Sequence, residues 1–275
     1  MLEWLPLFFL FFLGLAVGSH MNVLVLRFGF EERSKPRSEC AQCGKGIGWY
    51  DLIPVVSYLV LSGRCRACGS AIHIQYPLVE LATGALFVLA YLLFPPAITS
   101  FGFGRFFALL LFLATGVGIV AYDIRHTLIP LPFVYALGGS AALYRGLTAF
   151  ELKDGSVLFD ALFGCAVLAG FFALVTLVTR GRGMGIGDAY VAGAIGILLG
   201  LVGGVTAIMF GIWSATVVYL LLMLSSRIRL FGSRGRVTMK TELPLAPWLV
   251  FGAYLVLFTG VSIFEVTAWI STSTS

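Results

Sequence analysis

Apolar runs of about 20 residues recur along this chain, each long enough to cross a hydrocarbon layer as a helix. Within such a layer every backbone N–H and C=O must find its partner inside the protein, so only helices or closed barrels can span it. The runs cover residues 4–26, 76–94, 105–122, 132–144, 157–179, 189–201, 205–224 and 247–270, which predicts eight spans in 275 residues. The sixth is short and joins the seventh through a tight turn expected at Gly203-Gly204. Only 11% of the residues are charged, where a soluble domain carries about 25%. The fold class expected is an all-α polytopic membrane protein.

The few basic residues orient it. With both termini outside, the inner loops hold 15 of the 18 lysines and arginines, and the outer side keeps only Arg105, Arg145 and Lys153. Cytoplasmic loops carry such an excess, so residues 27–75 and the inner ends of the spans are expected to face the cytoplasm. The net charge of +5 forms no basic stripe with interleaved aromatics, so nucleic acid is excluded as a partner. Membrane lipid is the expected one. Residues 1–4 lack a positive n-region and the apolar run continues to Leu26, which predicts an uncleaved first span over 1–26. His20 and Asn22 near its inner end are expected to face the protein interior.

Residues 27–75 differ in kind. Two C-x-x-C-G knuckles, Cys40-Ala41-Gln42-Cys43-Gly44 and Cys65-Arg66-Ala67-Cys68-Gly69, stand 21 residues apart, just beyond the usual spacing of a four-cysteine zinc ribbon. Four thiolates close a tetrahedral Zn²⁺ shell and leave no open position, which suits structure rather than catalysis. A pair of disulfides is the alternative, disfavoured in a reducing cytoplasm. Cys165, alone in the fifth span, reads as a packing residue. The remaining residues, 76–275, form the membrane domain.

Two acids mark the inner boundary. Asp123 ends the third span, and Asp188 opens the sixth behind Gly183-Met184-Gly185-Ile186-Gly187. An acid at such a position is costly and is by default a functional-site candidate. Two carboxyl groups brought together share a proton, so that one can activate water and the other protonate a leaving amine. On spacing alone a second reading stays open, in which Asp123 pairs with Arg125, and Asp188 with Arg180 or Arg182. Glu80, inside the second span, either pairs with a base or lines a ligand pocket. Glu151, Asp154 and Asp160 are expected to be solvated at the outer side.

These residues carry a resemblance. Ser19-His20-Met21-Asn22-Val23 with Arg27, the knuckles with Trp49-Tyr50-Asp51-Leu52-Ile53-Pro54 between them, Tyr76-Pro77-Leu78-Val79-Glu80, Asp123 with Ile129-Pro130, and Gly183 to Asp188 follow one another as in the prepilin peptidases. That is the family of type 4 prepilin leader peptidases and N-methyltransferases, membrane aspartic proteases. The resemblance implies cleavage of the basic leader from type IV prepilins or type II secretion pseudopilins at the cytoplasmic face of the bacterial inner membrane. It implies Asp123 and Asp188 as the catalytic pair. Methylation of the new N-terminus from S-adenosylmethionine would follow, with Glu80 and Gly84 as candidate cofactor-binding positions. The glycines before Asp188 are expected to leave a side-chain-free approach for an extended leader. Three positions depart from the family pattern: Tyr190 for lysine, His20 for phenylalanine, and Leu245-Ala246-Pro247 for Phe-Gly-Pro. The competing non-enzymatic reading is a transporter or channel that uses the two acids as a proton or cation relay.

Overall fold

The computed structural model describes residues 4–28, 38–40, 42–181, 184–227 and 244–262, and every regular element there is helical. Arg33, Lys35, Arg37, Arg182, Gly183, Arg229, Arg234, Arg236, Lys240, the end of the last expected span and the Ser/Thr tail lie outside the described residues. The helices are α1 (Trp4–Arg27), α2 (Val56–Val60), α3 (Gln75–Leu93), α4 (Ser100–His126), α5 (Leu131–Leu152), α6 (Ser156–Val178), α7 (Ile186–Arg227) and α8 (Ala246–Thr259).

Local chemistry sets their ends. Pro95-Pro96 follows the last turn of α3, where no helix continues. Thr99 Oγ1 accepts from the amide of Gly102 at 2.9 Å and caps α4. At its other end Thr127 turns left-handed (φ 51) and donates its N–H to the carbonyl of Asp123. Pro132 and Pro247 sit in the first turns of α5 and α8, where a missing N–H costs nothing.

Five helices among the described residues are long and apolar enough to cross a membrane: α1, α3, α4, α6 and α7. At 39 residues in its apolar part, α7 would reach about 58 Å if straight, nearly twice a hydrocarbon core. It is broken at Gly200 (φ 72, ψ −172). A Cβ on Gly204 would stand 3.4 Å from the Cα of Gly196, whereas eight residues of continuous helix would separate them by about 12 Å. The two halves therefore double back on each other. The reversal lies at Gly200 rather than at the expected Gly203-Gly204, because an acid from α6 secures it there. Asp160 Oδ1 accepts from Leu201 N at 3.2 Å, and its Oδ2 accepts from Arg145 Nη2 at 2.6 Å. Asp160 is thus bonded rather than simply solvated, Glu151 pairs with Arg105 at 3.1 Å, and Asp154 caps Ser156.

With α7 counted as two, the membrane-domain helices and α1 match the eight apolar runs, although α5 and the shorter α8 fall outside the five long apolar ones. The core centres on α4, most of whose length is buried, with α1, α3, α5 and α8 packed around it; α6 is largely exposed at the periphery. Glycines let α1 and α3 approach closely, as small residues do between membrane helices. A Cβ on Gly14 would stand 2.6 Å from the Cα of Gly84. In α1, Asn22 is buried and donates to the carbonyl of Tyr76, whereas His20 is exposed instead of facing the interior.

Candidate active site

The site is assembled from three helix ends. Asp123 lies in the last turn of α4 and Asp188 in the first turn of α7, 4% and 7% exposed. The two carboxyl groups are close enough to interact electrostatically. Asp188 holds the third position of its helix, and its Oδ2 accepts from Gly185 N at 3.2 Å, the backward half of a capping box. Asp123 accepts from the backbone N–H of Ala246, the first residue of α8. Each acid thus takes an amide left without an intrahelical partner at a helix N-terminus. Asp123 Oδ2, though buried, finds no hydrogen-bond partner among the described residues. No ion pair among the described residues involves either acid, so the boundary-charge reading with Arg125 or Arg180 finds no contact.

The loop between α4 and α5 brings these ends together. Ile129 packs on Gly187, where a Cβ would lie 2.9 Å from its own Cβ. Gly187 is therefore filled by the protein and not left open to a ligand. Gly185 is different: among the described residues a Cβ there would meet only Gly187 N and Asp188 Oδ2, both at 3.9 Å. Gly183 lies outside the described residues. Sequence reasoning missed Ala246, whose contribution is a backbone amide with no side-chain signature. The departure at Leu245-Ala246-Pro247 was its one visible mark.

The four cysteines form a second cluster. The Sγ atoms of Cys40, Cys43, Cys65 and Cys68 all lie within 4.8 Å of one another, and none is in a disulfide. Both knuckles fold alike. Cys40 N bonds Lys45 O and Gly44 N bonds Cys40 O, as Cys65 N bonds Ser70 O and Gly69 N bonds Cys65 O. Gly44 and Gly69 close the turns at φ 67 and φ 70. The amides of Cys43 and Gln42 hold the Cys40 thiol down at about 6, and the Ser70 hydroxyl lowers that of Cys68. Four thiolates at this separation repel one another, and a divalent cation is what lets all of them ionise. Sulfurs 2.3 Å from a tetrahedral centre stand about 3.8 Å apart, and Cys40 and Cys68 are at 3.9 Å. The cluster fits a metal.

Glu80 and Gly84 belong to neither group. Glu80 is buried and accepts from Val55 N at 2.8 Å and from Ser19. Gly84 lies in the α1–α3 contact, facing Phe11 and Leu15. Cys165 packs beside Gly193, as a core thiol would.

Comparison with known proteins adds a family. The model of the Bacterial Peptidase A24 N-terminal domain matches residues 12–94. The chain is similar to a prepilin leader peptidase/N-methyltransferase of Myxococcus xanthus, at 34% identity over 86% of this chain and 67% of the relative. It is also similar to proteins of that name from Klebsiella pneumoniae, at 36% over 70% of this chain and 84% of the relative, and from Pseudomonas aeruginosa, at 33% over 90% and 88%. No solved structure matches it.

Proposed function

The chain belongs to the prepilin leader peptidase/N-methyltransferase family, and from that premise we propose that it cleaves the leader of type IV prepilins or type II secretion pseudopilins with Asp123 and Asp188, then methylates the new N-terminus. The observation that carries the peptidase reading is a pair of buried acids at neighbouring ends of separate helices, joined through the packing of Ile129 on Gly187, one with an oxygen that no donor among the described residues claims. Two carboxyl groups that close on one substrate bond cannot both ionise cheaply and would hold one proton between them. The ionised member takes a proton from water as the water oxygen bonds to the scissile carbonyl carbon. The protonated member gives its proton to the leaving nitrogen as the C–N bond breaks. The amides of Gly185 and Ala246 hold the two acids in register throughout. Gly185, open beside Asp188, leaves room for an extended backbone, while Gly187 acts by packing. The lysine and arginine distribution supports a site on the cytoplasmic face of the inner membrane, with both termini outside.

The metal proposed for Cys40, Cys43, Cys65 and Cys68 is Zn²⁺. It would supply structure alone, since four thiolates complete its shell. A segment of this size has too small a core to be secure without such a staple. S-adenosylmethionine is the proposed methyl donor. Glu80 and Gly84 offer it no cradle, one being committed to Val55 and Ser19 and the other to α1, so no step is assigned to them. Incubating the purified chain with a full-length prepilin and following the shortened product tests the peptidase. A chain that moved protons or cations across vesicles but left prepilin intact would be a transporter instead.

A further inference from the structure

The loop between the knuckles is fixed at a depth inside the bundle. Val55 has φ 61, a conformation that β-branched residues rarely adopt, and its N–H is donated to Glu80 Oε2 at 2.8 Å. Glu80 stands five residues into α3, about 7.5 Å along its axis. On α1 the same level is Gly18, where a Cβ would stand 2.8 Å from the Cα of Glu80, nine residues before the end of that helix, about 13 Å along it. The backbone at Val55 therefore lies below the ends of two membrane-crossing helices, beside them and not above them.

What leaves this backbone is apolar and uncovered. Trp49 is 78% exposed, Leu59 69% and Val60 70%, with Leu52, Ile53 and Val56 also exposed. The polar groups turn inward: Ser57 is buried and donates to the carbonyl of Tyr50, and Asp51 is held by Arg66 at 2.7 Å. A module surrounded by water would have the opposite arrangement, since contiguous apolar surface of this kind marks an interaction site. Leu78 and Leu81, on the same turns of α3 as Glu80, are exposed as well. Lys45 and Arg64, both exposed, supply positive charge on the same module.

We propose that residues 49–60 are an interfacial anchor, lying in the headgroup–acyl boundary of the membrane that α1 and α3 cross. Glu80 is the peg that sets their depth. Trp49 and Tyr50 take the level where amphipathic rings collect at bilayer surfaces. The basic residues meet anionic headgroups. The cysteine cluster, flanking the anchor on both sides in sequence, is thereby held against the bilayer.

The test uses the full chain and its Trp49→Phe variant in nanodiscs of phosphatidylcholine and phosphatidylglycerol, with bromine carried near the top of the acyl chains. The fluorescence of Trp49, taken as the difference between the two proteins, is expected to be lost to brominated lipid and to resist aqueous iodide. Quenching by iodide without quenching by bromine overturns the anchor. Shielding from iodide that appears only on adding a leader-bearing peptide also overturns it, and assigns the face to substrate. In a Glu80→Ala background the bromine quenching should weaken; if it is unchanged, Glu80 does not set the depth.

Discussion

Ile129 closes over Gly187, its Cβ 2.9 Å from where a side chain at 187 would begin. That contact joins the residues following Asp123 to the helix turn that carries Asp188. Valine at 187 must push the loop away and should reduce both cleavage and thermal stability, overpacking of this kind costing about 1–3 kcal/mol. Ile129→Ala in the same chain should recover part of both. Gly185→Ala, with open space before it, should retain wild-type stability. Paired melting curves and cleavage rates check all three.

Replacing Cys40 and Cys65 with serine should remove about one bound zinc per chain, four thiolates making one shell, and lower the midpoint of thermal unfolding. Acidification should release zinc from the wild type, because protons compete for the thiolate ligands. Metal analysis after dialysis reads the first effect, and unchanged zinc content in the double variant would exclude the cluster as its site.

At the far end of the bundle, Asp160→Ala removes the acceptor for Leu201 N–H and the partner of Arg145 together. Loss of a hydrogen bond to a charged group predicts a destabilisation of about 1–3 kcal/mol, with Asp160→Asn milder because it still offers an acceptor. Asp160 joins α7 thirteen residues beyond Asp188, so the intact fraction should cleave normally. Thermal unfolding in detergent compared with cleavage per folded molecule separates the two effects.

Methyl transfer should survive loss of the acids. Asp123→Asn and Asp188→Asn are expected to methylate a substrate whose leader has already been removed, with labelled S-adenosylmethionine as the readout. Loss of methylation in both variants would mean that one site serves both reactions.

Much of this architecture was legible because the signals are local. Apolar runs, prolines at helix boundaries and paired C-x-x-C-G turns each announce themselves within a few residues. The reversal in α7 was legible only as a glycine-rich neighbourhood; its position depends on Asp160, which reaches across from α6. His20 looked like an interior residue because it is polar in a span, yet its face of α1 is exposed. The two acids stood out as costly charges, but the Ala246 amide beside Asp123 could not, since every residue except proline carries one. The role of Gly187 was hidden for a similar reason: glycine suits both an open approach and a tight contact, and only Ile129 distinguishes them.

The central claim is that Asp123 and Asp188 act as one catalytic pair. Its most direct test is the single-turnover cleavage of a prepilin by the purified wild type, Asp123→Asn and Asp188→Asn, each checked for folding by its melting curve. Removing either half of an acid–base pair should slow cleavage by about 10²–10⁴-fold or more, and the double variant should be hardly slower than either single one. Cleavage at the wild-type rate by either folded single variant would contradict the pair.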